Sequence, residues 1–491
     1  MEAIWTAVAI GIAAAVLIAF ARRQRPSGKP TQWPPGPPRL PLIGNMHQIL
    51  KEGDPFHITV NKLAQGYGPI MTVWFGTRQP TIIVSNHDLV WEVLVSKSPD
   101  YAAREIASMF KSGTADYSTI VTSDAGPHWH SLRRGLQNGA IGPLCLSVQA
   151  PLQESDMAQM INDMIKEANL NGGVVKPFHH IRRATIKLLA RLCFGSDFSD
   201  EDFEATMDVM VDEALKYSDD ARILDTFPPA RFLPSVRRVI MKMEKLKLRV
   251  EECIGHHLAS PPPPNCYAHF LLSQNFPRGV TISSIFEVFI LGLDSTGSTT
   301  MWALGLLVQN QEAQQKLYQE IRDHATCTEK GIVKVEEARN LEYLQAVVKE
   351  TMRMKPIAPL AVPHKAARDT TLGGLHVAEG TTVMVNLYAL HYDPKVWDEP
   401  ERFKPERFME SSKEFLGKRG QYSFLPFGAG MRACAGMEVG KLQLPFAVSN
   451  LVNAFHWSNA VESEEPNLGE DFSFILAMKT PLEARIVPRG I

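Results

Sequence analysis

The stretch FGAGMRACAG, residues 427–436, decides the fold of this chain because it places one cysteine, Cys434, on a glycine-rich loop. Arg432 lies two residues before the cysteine, and the apolar segment Met437–Ala454 predicts a helix that begins just after the loop. A thiolate that faces the start of a helix is stabilised by unpaired backbone N–H groups and by the helix dipole. The glycines let a large flat group approach the backbone, and the arginine can bind a carboxylate of that group. A haem needs both features, so the stretch predicts a haem site with Cys434 as the iron ligand.

The pattern F-x-x-G-x-R-x-C-x-G resembles the haem-binding loop of the cytochrome P-450 family. A lone cysteine is more often a buried structural thiol, but the loop around Cys434 reverses that preference. The resemblance implies a mainly α fold with small β-sheets, a haem b held by the Cys434 thiolate, and NADPH and O2 as co-substrates. It also assigns a set of residues to haem binding, namely Trp129, Arg133, His364, Phe427, Gly430, Arg432 and Gly436.

The composition argues against several classes of protein. The chain has 491 residues, and its 51 basic and 53 acidic residues give a net charge of −2, which gives no support for nucleic-acid binding. None of its six cysteines forms a C-x-x-C pair, so a zinc ribbon and a disulfide framework are both disfavoured. Scattered cysteines of this kind are typical of a reducing compartment. The hydrophobic fraction of 45% is enough for a sizeable core.

Residues 3–21 form an uncharged apolar run that is long enough to cross a bilayer. Arg22, Arg23 and Arg25 follow the run, so the positive-inside rule places the rest of the chain in the cytosol. A cleaved secretory signal needs positive charge before the run, so we expect an uncleaved anchor. The chain then divides into a transmembrane signal-anchor over residues 1–21, a polar linker with a proline-rich hinge over 22–38, and a haem-thiolate monooxygenase domain over 39–491. The resemblance to microsomal family members implies a single-pass protein of the endoplasmic reticulum membrane.

Local patterns predict one large, mainly helical domain with minor sheets. The short β-branched runs at residues 70–75 and 81–84 predict a small sheet. Residues 88–325 are mostly helical in pattern, with breaks near Pro143, Pro177, Pro228 and residues 261–264. A second β-rich patch is predicted over residues 370–387, and a last strand pair within residues 472–487.

Glu350 and Arg353 lie three residues apart in a helical stretch that ends at Pro356, so their side chains share one helix face. Such a pair on its own usually marks a solvated ion pair. The resemblance adds Arg407, in the segment PERF, and implies that these three residues form a buried triad beneath the haem. A buried network of this kind would fold the haem face rather than take part in the reaction.

Residues 281–309 are long, apolar and helical in period, but Asp294 and several hydroxyl residues interrupt the middle. A carboxylate there would be costly in lipid, so we expect a buried helix that crosses an active site rather than a second membrane span. The segment LGLDST, residues 291–296, resembles the family's helix above the haem, with Leu291 in place of a small residue and Ser295 in place of threonine. Asp294 with Ser295 or Thr296 is therefore predicted to relay protons.

LGLDST, the segment MRMKPIAP at residues 352–359 and the segment CAGMEVGKLQL at residues 434–444 resemble a plant subfamily of methylenedioxy-bridge synthases. Canadine, stylopine, cheilanthifoline and pluviatolide synthases belong to it. The resemblance implies a reaction of plant secondary metabolism on an aromatic ortho-methoxyphenol. In the implied reaction the O-methyl carbon would be oxidised, the neighbouring phenol oxygen would attack that carbon, and water would be lost. Electrons would come from NADPH through a membrane-bound NADPH–cytochrome P-450 reductase.

The same resemblance assigns a mostly apolar substrate pocket, made of Leu291, Ile357, Ala358, Leu360, Ala361, Phe474 and Ile475. A protoberberine substrate carries a basic nitrogen, which would favour an acid or an aromatic face in the pocket, whereas lignans are neutral. Residues 357–362 and 472–477 contain no acid, Asp294 is assigned to the relay, and Asp116 is the nearest other acid in the loop at residues 102–117. The sequence therefore favours a lignan such as matairesinol.

Three alternatives to a lignan bridge synthase stay open at this point. The same bridge could be formed on a protoberberine or benzylisoquinoline alkaloid, or the enzyme could couple two phenol rings through a C–C bond. A haem carrier or sensor without turnover is disfavoured, because a carrier has no need of the proton relay that Asp294 and Ser295 suggest.

Overall fold

The structure of the protein, a computed structural model, describes residues 33–49, 53–76, 80–105, 119–206, 230, 232–409, 422–473 and 475–490. The predicted signal-anchor lies outside the described residues, as do Asp116 and Phe474. Residues 33–38, the end of the predicted hinge, are described, and they lie beside the first β-strand. There the carbonyl of Pro35 accepts a hydrogen bond from the Thr72 N–H at 2.9 Å, and the carbonyl of Pro34 accepts one from the Thr72 hydroxyl at 2.9 Å.

Most of the described chain is helical, as the predicted fold class requires. Its α-helices are α1 (Met46–Ile49), α2 (Phe56–Tyr67), α3 (His87–Trp91), α4 (Pro127–Gly139), α5 (Pro143–Leu170), α6 (Pro177–Phe194), α7 (Asp200–Thr206), α8 (Pro234–His257), α9 (Tyr267–Ser273), α10 (Arg278–Gln309), α11 (Gln311–His324), α12 (Glu342–Met354), α13 (Leu387–His391) and α14 (Met437–Ala454). Pro143 and Pro177 each occupy a first helical position, where a missing N–H costs nothing, so the predicted breaks there are helix starts.

The strands are short and form small sheets. They are β1 (Ile70–Val73), β2 (Thr81–Val84), β3 (Ala103–Arg104), β4 (Val174–Val175), β5 (His364–Lys365), β6 (Thr370–Leu372), β7 (Leu375–Val377), β8 (Thr382–Val385), β9 (Phe455–Asn459), β10 (Glu470–Phe472), β11 (Leu476–Met478) and β12 (Ala484–Pro488). A five-stranded sheet has the order β1-β2-β8-β5-β3, in which β1 and β2 are antiparallel and β2 and β8 are parallel. The two predicted β regions are thereby confirmed.

The predicted strand pair within residues 472–487 is wrong in its pairing. β11 forms a hairpin with β10, whereas β12 pairs with β9, with Ala484 opposite Asn459, and with β4. Burial explains the difference, because Phe455 and Trp457 of β9 and Ile486 of β12 are all buried in one core. Strands that bury alternate residues on the same side are stabilised by pairing beside each other.

Helix α10 runs through the main core and packs against α6, α8 and α14. It is long and apolar enough to cross a membrane by length and composition, and 67% of its most apolar window is buried inside the protein. Leu293 and Leu304 of α10 share one core cluster with Leu451 of α14. The prediction of a buried helix at residues 281–309 is therefore confirmed.

Candidate active site

A cavity of about 1390 Å³ lies between α10 and the loop that carries Cys434. Leu291, Ser295 and Thr296 line it from α10, and Phe427 and Cys434 line it from the loop. Pockets for a single small molecule are typically of about 300–1,000 Å³. The cavity therefore has room for a flat prosthetic group and a substrate together.

Cys434 presents its side chain to the cavity, although the residue lies deep in the protein. Its backbone N–H donates to the Phe427 carbonyl at 2.8 Å, which closes the loop just before α14. Burial raises the pKa of the Cys434 thiol above its usual value, while the Gly436 backbone N–H and Arg133 act in the lowering direction. Coordination to a metal removes a thiol proton outright, so this site suits a thiol that becomes a thiolate on binding iron.

Gly430 fixes the path of the loop by close packing rather than by lining the cavity. Its φ is +67°, and a Cβ there would lie 1.6 Å from the Leu94 carbonyl oxygen. Only glycine tolerates both conditions. The next residue, Met431, donates its N–H to the Ser98 hydroxyl at 2.9 Å. The loop is thus held against residues 92–98, whereas the predicted haem-contact residues Phe427 and Gly436 do line the cavity.

Arg133 and Arg432 meet around the indole of Trp129. The Trp129 ring centroid lies 4.6 Å from the Arg432 guanidinium carbon and 5.4 Å from that of Arg133, within cation–π range. Arg432 donates to backbone carbonyls of Ala102 and Ser123, and Arg133 donates to the Ala433 carbonyl at 2.7 Å. The indole N–H of Trp129 donates to a backbone carbonyl. All three residues line the cavity, with Trp129 as the support between two cations.

Arg104 is a buried cation of the same cavity that sequence reasoning missed. It donates to the carbonyls of Val362 and Pro363 at 2.7 and 3.0 Å, but its buried Nε has no partner among the described residues. Burial, followed by the neighbouring Arg432, lowers the pKa of Arg104 to about 9. No local pattern marks this residue, because its neighbours come from a segment some 260 positions away.

His364, a predicted haem contact, lines the cavity beside Arg104. Its Nδ1 donates to the Tyr101 carbonyl at 2.8 Å. Burial, and then the charge of Arg104, lowers the pKa of His364 to about 3, so the imidazole is neutral at pH 7 in this arrangement. A nearby anion would favour its charged form.

The described residues fit a haem. A buried charge is costly unless it is paired, and Arg104 and Arg432 line the cavity without an ion pair to an acid among the described residues. The two carboxylates of a haem would supply such partners. Arg104, Arg133 and Arg432 could hold those carboxylates, with Cys434 as the iron ligand on the floor of the cavity.

Helix α10 brings Ser295 and Thr296, but not Asp294, to the cavity. The Ser295 hydroxyl donates to the Leu291 carbonyl at 2.7 Å. The Asp294 carboxylate is bound by Arg182 of α6 through Nη2 at 2.6 Å and Nε at 2.9 Å, and its side chain is only 6% exposed. The ion pair with Arg182 thus holds the predicted relay acid against α6, and Asp294 is not among the described residues that line the cavity.

Glu350, Arg353 and Arg407 come together in the protein interior. Glu350 accepts from Arg353 Nε at 2.7 Å and from Arg407 Nε at 3.0 Å, and the Glu350 and Arg353 side chains are fully buried. Arg353 also donates to the carbonyls of His391 and Pro400, both at 2.8 Å. The network joins α12 to the segment around residue 407, with its charged groups paired.

The predicted substrate residues that the structure describes all line the cavity, namely Leu291, Ile357, Ala358, Leu360, Ala361 and Ile475. Two acids line it as well, namely Glu105, which lies in the loop at residues 102–117, and Glu287, which sequence reasoning did not place there. Glu287 lies four residues before Leu291 and eight before Ser295 on α10. That helical spacing is the signal that could have found it, because residues four apart share a face.

The chain is similar to known proteins both in sequence and in fold. The family model described as Cytochrome P450 matches residues 34–483. A piperic acid synthase, CYP719A37, from Piper nigrum is 52% identical over 466 residues, which are 94% of this chain and 91% of that protein. An (S)-canadine synthase from Coptis japonica is 49% identical and covers 97% of this chain and 96% of its own length. A pluviatolide synthase from Podophyllum peltatum is 47% identical, with coverages of 98% and 97%.

The fold is similar to that of solved structures. A zebrafish cytochrome P450 with abiraterone superposes with a TM-score of 0.72 at 25% sequence identity. The similarity covers 89% of this chain and 100% of that chain.

Proposed function

Because this chain belongs to the cytochrome P450 family, we propose that it closes a methylenedioxy bridge on an aromatic ortho-methoxyphenol. The observation that carries the proposal is the large, mostly apolar cavity between the Cys434 thiol and the Ser295 hydroxyl. The subfamily motifs at residues 291–296, 352–359 and 434–444 support the choice of reaction. Relatives at 47–52% identity that include canadine and pluviatolide synthases support it further.

The proposed reaction balances with O2 and NADPH as co-substrates. The substrate loses one hydrogen from its O-methyl carbon and the proton of the neighbouring phenol, and a new C–O bond joins that carbon to the phenol oxygen. The two substrate hydrogens, the hydride of NADPH and one proton reduce O2 to two molecules of water. When bound at Cys434, a haem-thiolate iron supplies the oxygen activation that this chemistry needs.

The chain's own residues would position the substrate and supply protons. The apolar side chains of Leu291, Ile357 and Leu360 can hold the aromatic ring and exclude water from it. The Ser295 hydroxyl can pass a proton into the cavity, and Arg182 holds the Asp294 carboxylate one residue away along the helix. The phenol proton would leave by the same hydroxyl-lined face of α10.

The family supports a redox partner and a location for the proposed enzyme. Members of this family generally need a redox-partner reductase, and here we propose the membrane-bound NADPH-dependent enzyme. Anchoring in the endoplasmic reticulum membrane through residues 3–21 is part of the proposal and is supported by the apolar run and the arginines after it.

The proposal covers more substrate classes than the sequence alone suggested. The preference for a lignan such as matairesinol depended on the lack of an acid in residues 357–362 and 472–477. Glu287 lies outside those segments and lines the cavity, so that argument no longer separates a neutral lignan from an alkaloid. The proposed bridge formation applies to both classes.

Turnover with reductase and NADPH tests the proposed function. We expect at least one of matairesinol and a tetrahydroprotoberberine methoxyphenol to give a product two hydrogens lighter. With the O-methyl carbon labelled with carbon-13, the label should appear in a methylene group between two oxygens. A diphenolic alkaloid completes the panel, and membranes with reductase alone are the control. C–C coupling would also remove two hydrogens but would leave the labelled carbon as a methoxy group, and that outcome would contradict bridge formation.

Substitution of Ser295 by alanine should uncouple NADPH oxidation from product formation. The change removes a hydroxyl that lines the cavity, and loss of a positioned proton donor typically slows chemistry by about 10²-fold or more. We expect product per NADPH consumed to fall and peroxide to rise. Ser298→Ala is the matched control, because Ser298 is buried on the same helix and is not among the residues that line the cavity. Unchanged coupling in Ser295→Ala would assign the proton to Thr296 or to water.

A further inference from the structure

Glu287 is a buried acid in the cavity wall that the proposed reaction does not use. Its side chain shares the cavity-lining face of α10 with Leu291 and Ser295, and the residue is only 7% exposed. Eight residues separate it from Ser295, which places the two Cα atoms about 12 Å apart along the helix at 1.5 Å per residue. Glu287 therefore meets the part of the cavity that is remote from the reacting hydroxyl face.

The Glu287 carboxylate is held in place and still has room for a ligand. The Val121 N–H donates to its two oxygens at 3.1 and 3.2 Å. A carboxylate offers about four acceptor positions, so this contact leaves others open. Val121 and its neighbours Ile120 and Thr122 also line the cavity. The acid is thus fixed at the point where a loop and α10 meet around the substrate space.

The two cations that act on Glu287 are arginines that could also bind the carboxylates of a haem. Arg432 and Arg104 both act on the carboxylate, and Thr119, Val121 and Tyr267 of α9 are the other groups that interact with it. Burial raises the pKa of Glu287 to about 7 in spite of these two cations. If haem carboxylates pair with Arg104 and Arg432, these two arginines would stabilise the ionised form of Glu287 less. The ionised acid therefore lacks a full partner of opposite charge.

Apart from Arg104 and Arg432, much of the cavity that Glu287 lines is apolar. Leu136 of α4, Leu189 of α6 and Val288 of α10 line the cavity together with Ile120. A carboxylate in such surroundings attracts a cation more strongly than one in water, and it repels an anion. We propose that Glu287 binds a protonated amine at the end of the substrate remote from the methoxyphenol, and so selects an amine-bearing alkaloid over neutral lignans and acidic methoxyphenols. This inference rests on the proposed function, since it concerns the substrate of the same cavity.

Binding measurements on the full-chain holoenzyme test the inference without turnover. The probes are a tetrahydroprotoberberine methoxyphenol for the amine, matairesinol for the neutral class and ferulic acid for the acidic class. Affinity is measured by equilibrium dialysis and by the shift of haem absorption. We expect the wild-type protein to bind the amine most tightly. Glu287→Gln should weaken amine binding by about tenfold to a hundredfold and leave matairesinol unchanged, since truncating one partner of a buried charge pair raises the dissociation rate.

The variants separate recognition from a merely structural role. Glutamine keeps the size of Glu287 and an oxygen that accepts from the Val121 N–H, and Glu287→Asp should restore part of the amine affinity. Glu105→Gln is the matched control, because Glu105 is the other acid that lines the cavity in the described part of the chain. Equal weakening of amine and matairesinol in Glu287→Gln would show that the acid only tethers the loop. No change in amine binding, or a loss confined to Glu105→Gln, would overturn the inference.

The two proposals fail in different ways. If the wild-type protein closes the bridge on matairesinol and does not bind the amine, bridge formation stands and the role of Glu287 is overturned. If the amine binds in a Glu287-dependent manner but leaves as a C–C coupled product, the role of Glu287 stands and bridge formation is overturned.

Discussion

Substitution of Cys434 by serine is expected to abolish the absorption band of a thiolate-ligated, reduced, carbon monoxide-bound haem, together with all product formation. Cys434 is the thiol in the loop that closes the cavity opposite α10, and the cations Arg104, Arg133 and Arg432 gather around the same space. A serine hydroxyl is far harder to deprotonate than a thiol and is a poor substitute for it on iron. The measurement is a difference spectrum of the purified full chain, followed by turnover with reductase.

A second cysteine in the cavity wall provides the control for this experiment. Cys193 of α6 also lines the cavity but is buried among apolar side chains, and burial raises its pKa strongly. Cys193→Ser should keep the thiolate band and most of the activity. A band that survives in Cys434→Ser and disappears in Cys193→Ser would move the iron ligand to α6 and contradict the proposed site.

Loss of the Glu350 carboxylate should greatly reduce the free energy of unfolding of the protein. In Glu350→Ala the guanidinium groups of Arg353 and Arg407 stay buried without their acid, and the Lys404 N–H loses its acceptor. Removal of one partner from a buried ion pair costs about 3–5 kcal/mol, which is a large share of a domain stability of about 5–15 kcal/mol. We expect a lower unfolding temperature by circular dichroism and a sharp fall in haem bound per chain.

Two further variants make the stability result specific. Glu350→Gln keeps an oxygen that accepts hydrogen bonds and should fall between wild type and alanine. Glu342→Ala removes an exposed acid from the first turn of the same helix and should cost no more than about 1 kcal/mol. A Glu350→Ala protein that unfolds and binds haem like the wild type would show that the triad does not support the haem face.

Features written in contiguous sequence were predictable. Helix α14 has the bounds that its apolar pattern predicts, because hydrophobic period and the glycine loop before it are local signals. Glu350 and Arg353 were placed on one face by their spacing alone. The interruption of the apolar run by Asp294 indicated a buried helix, and α10 is one.

Features created by distant parts of the chain were not predictable in the same way. β12 pairs with β9 rather than with its neighbour in sequence, because both bury side chains in the same core. Arg104 and Glu287 form hydrogen bonds with Val362 and Val121, which are distant in the sequence, and only the four-residue spacing of Glu287 from Leu291 is a local signal. Their charge also predicts the wrong location, because a single arginine or glutamate in a sequence is more often on the surface than buried.

The different contacts made by α10 residues have a consequence for how such an enzyme can diversify. Glu287 and Leu291 line the cavity, whereas the Asp294 carboxylate is bound by Arg182 of α6 and Asp294 is not among the described residues that line it. Substitutions at Glu287 and Leu291 can change which molecule fits while the Asp294–Arg182 ion pair is kept. A gene duplicate could therefore acquire a new substrate in a few steps and keep the proposed proton relay.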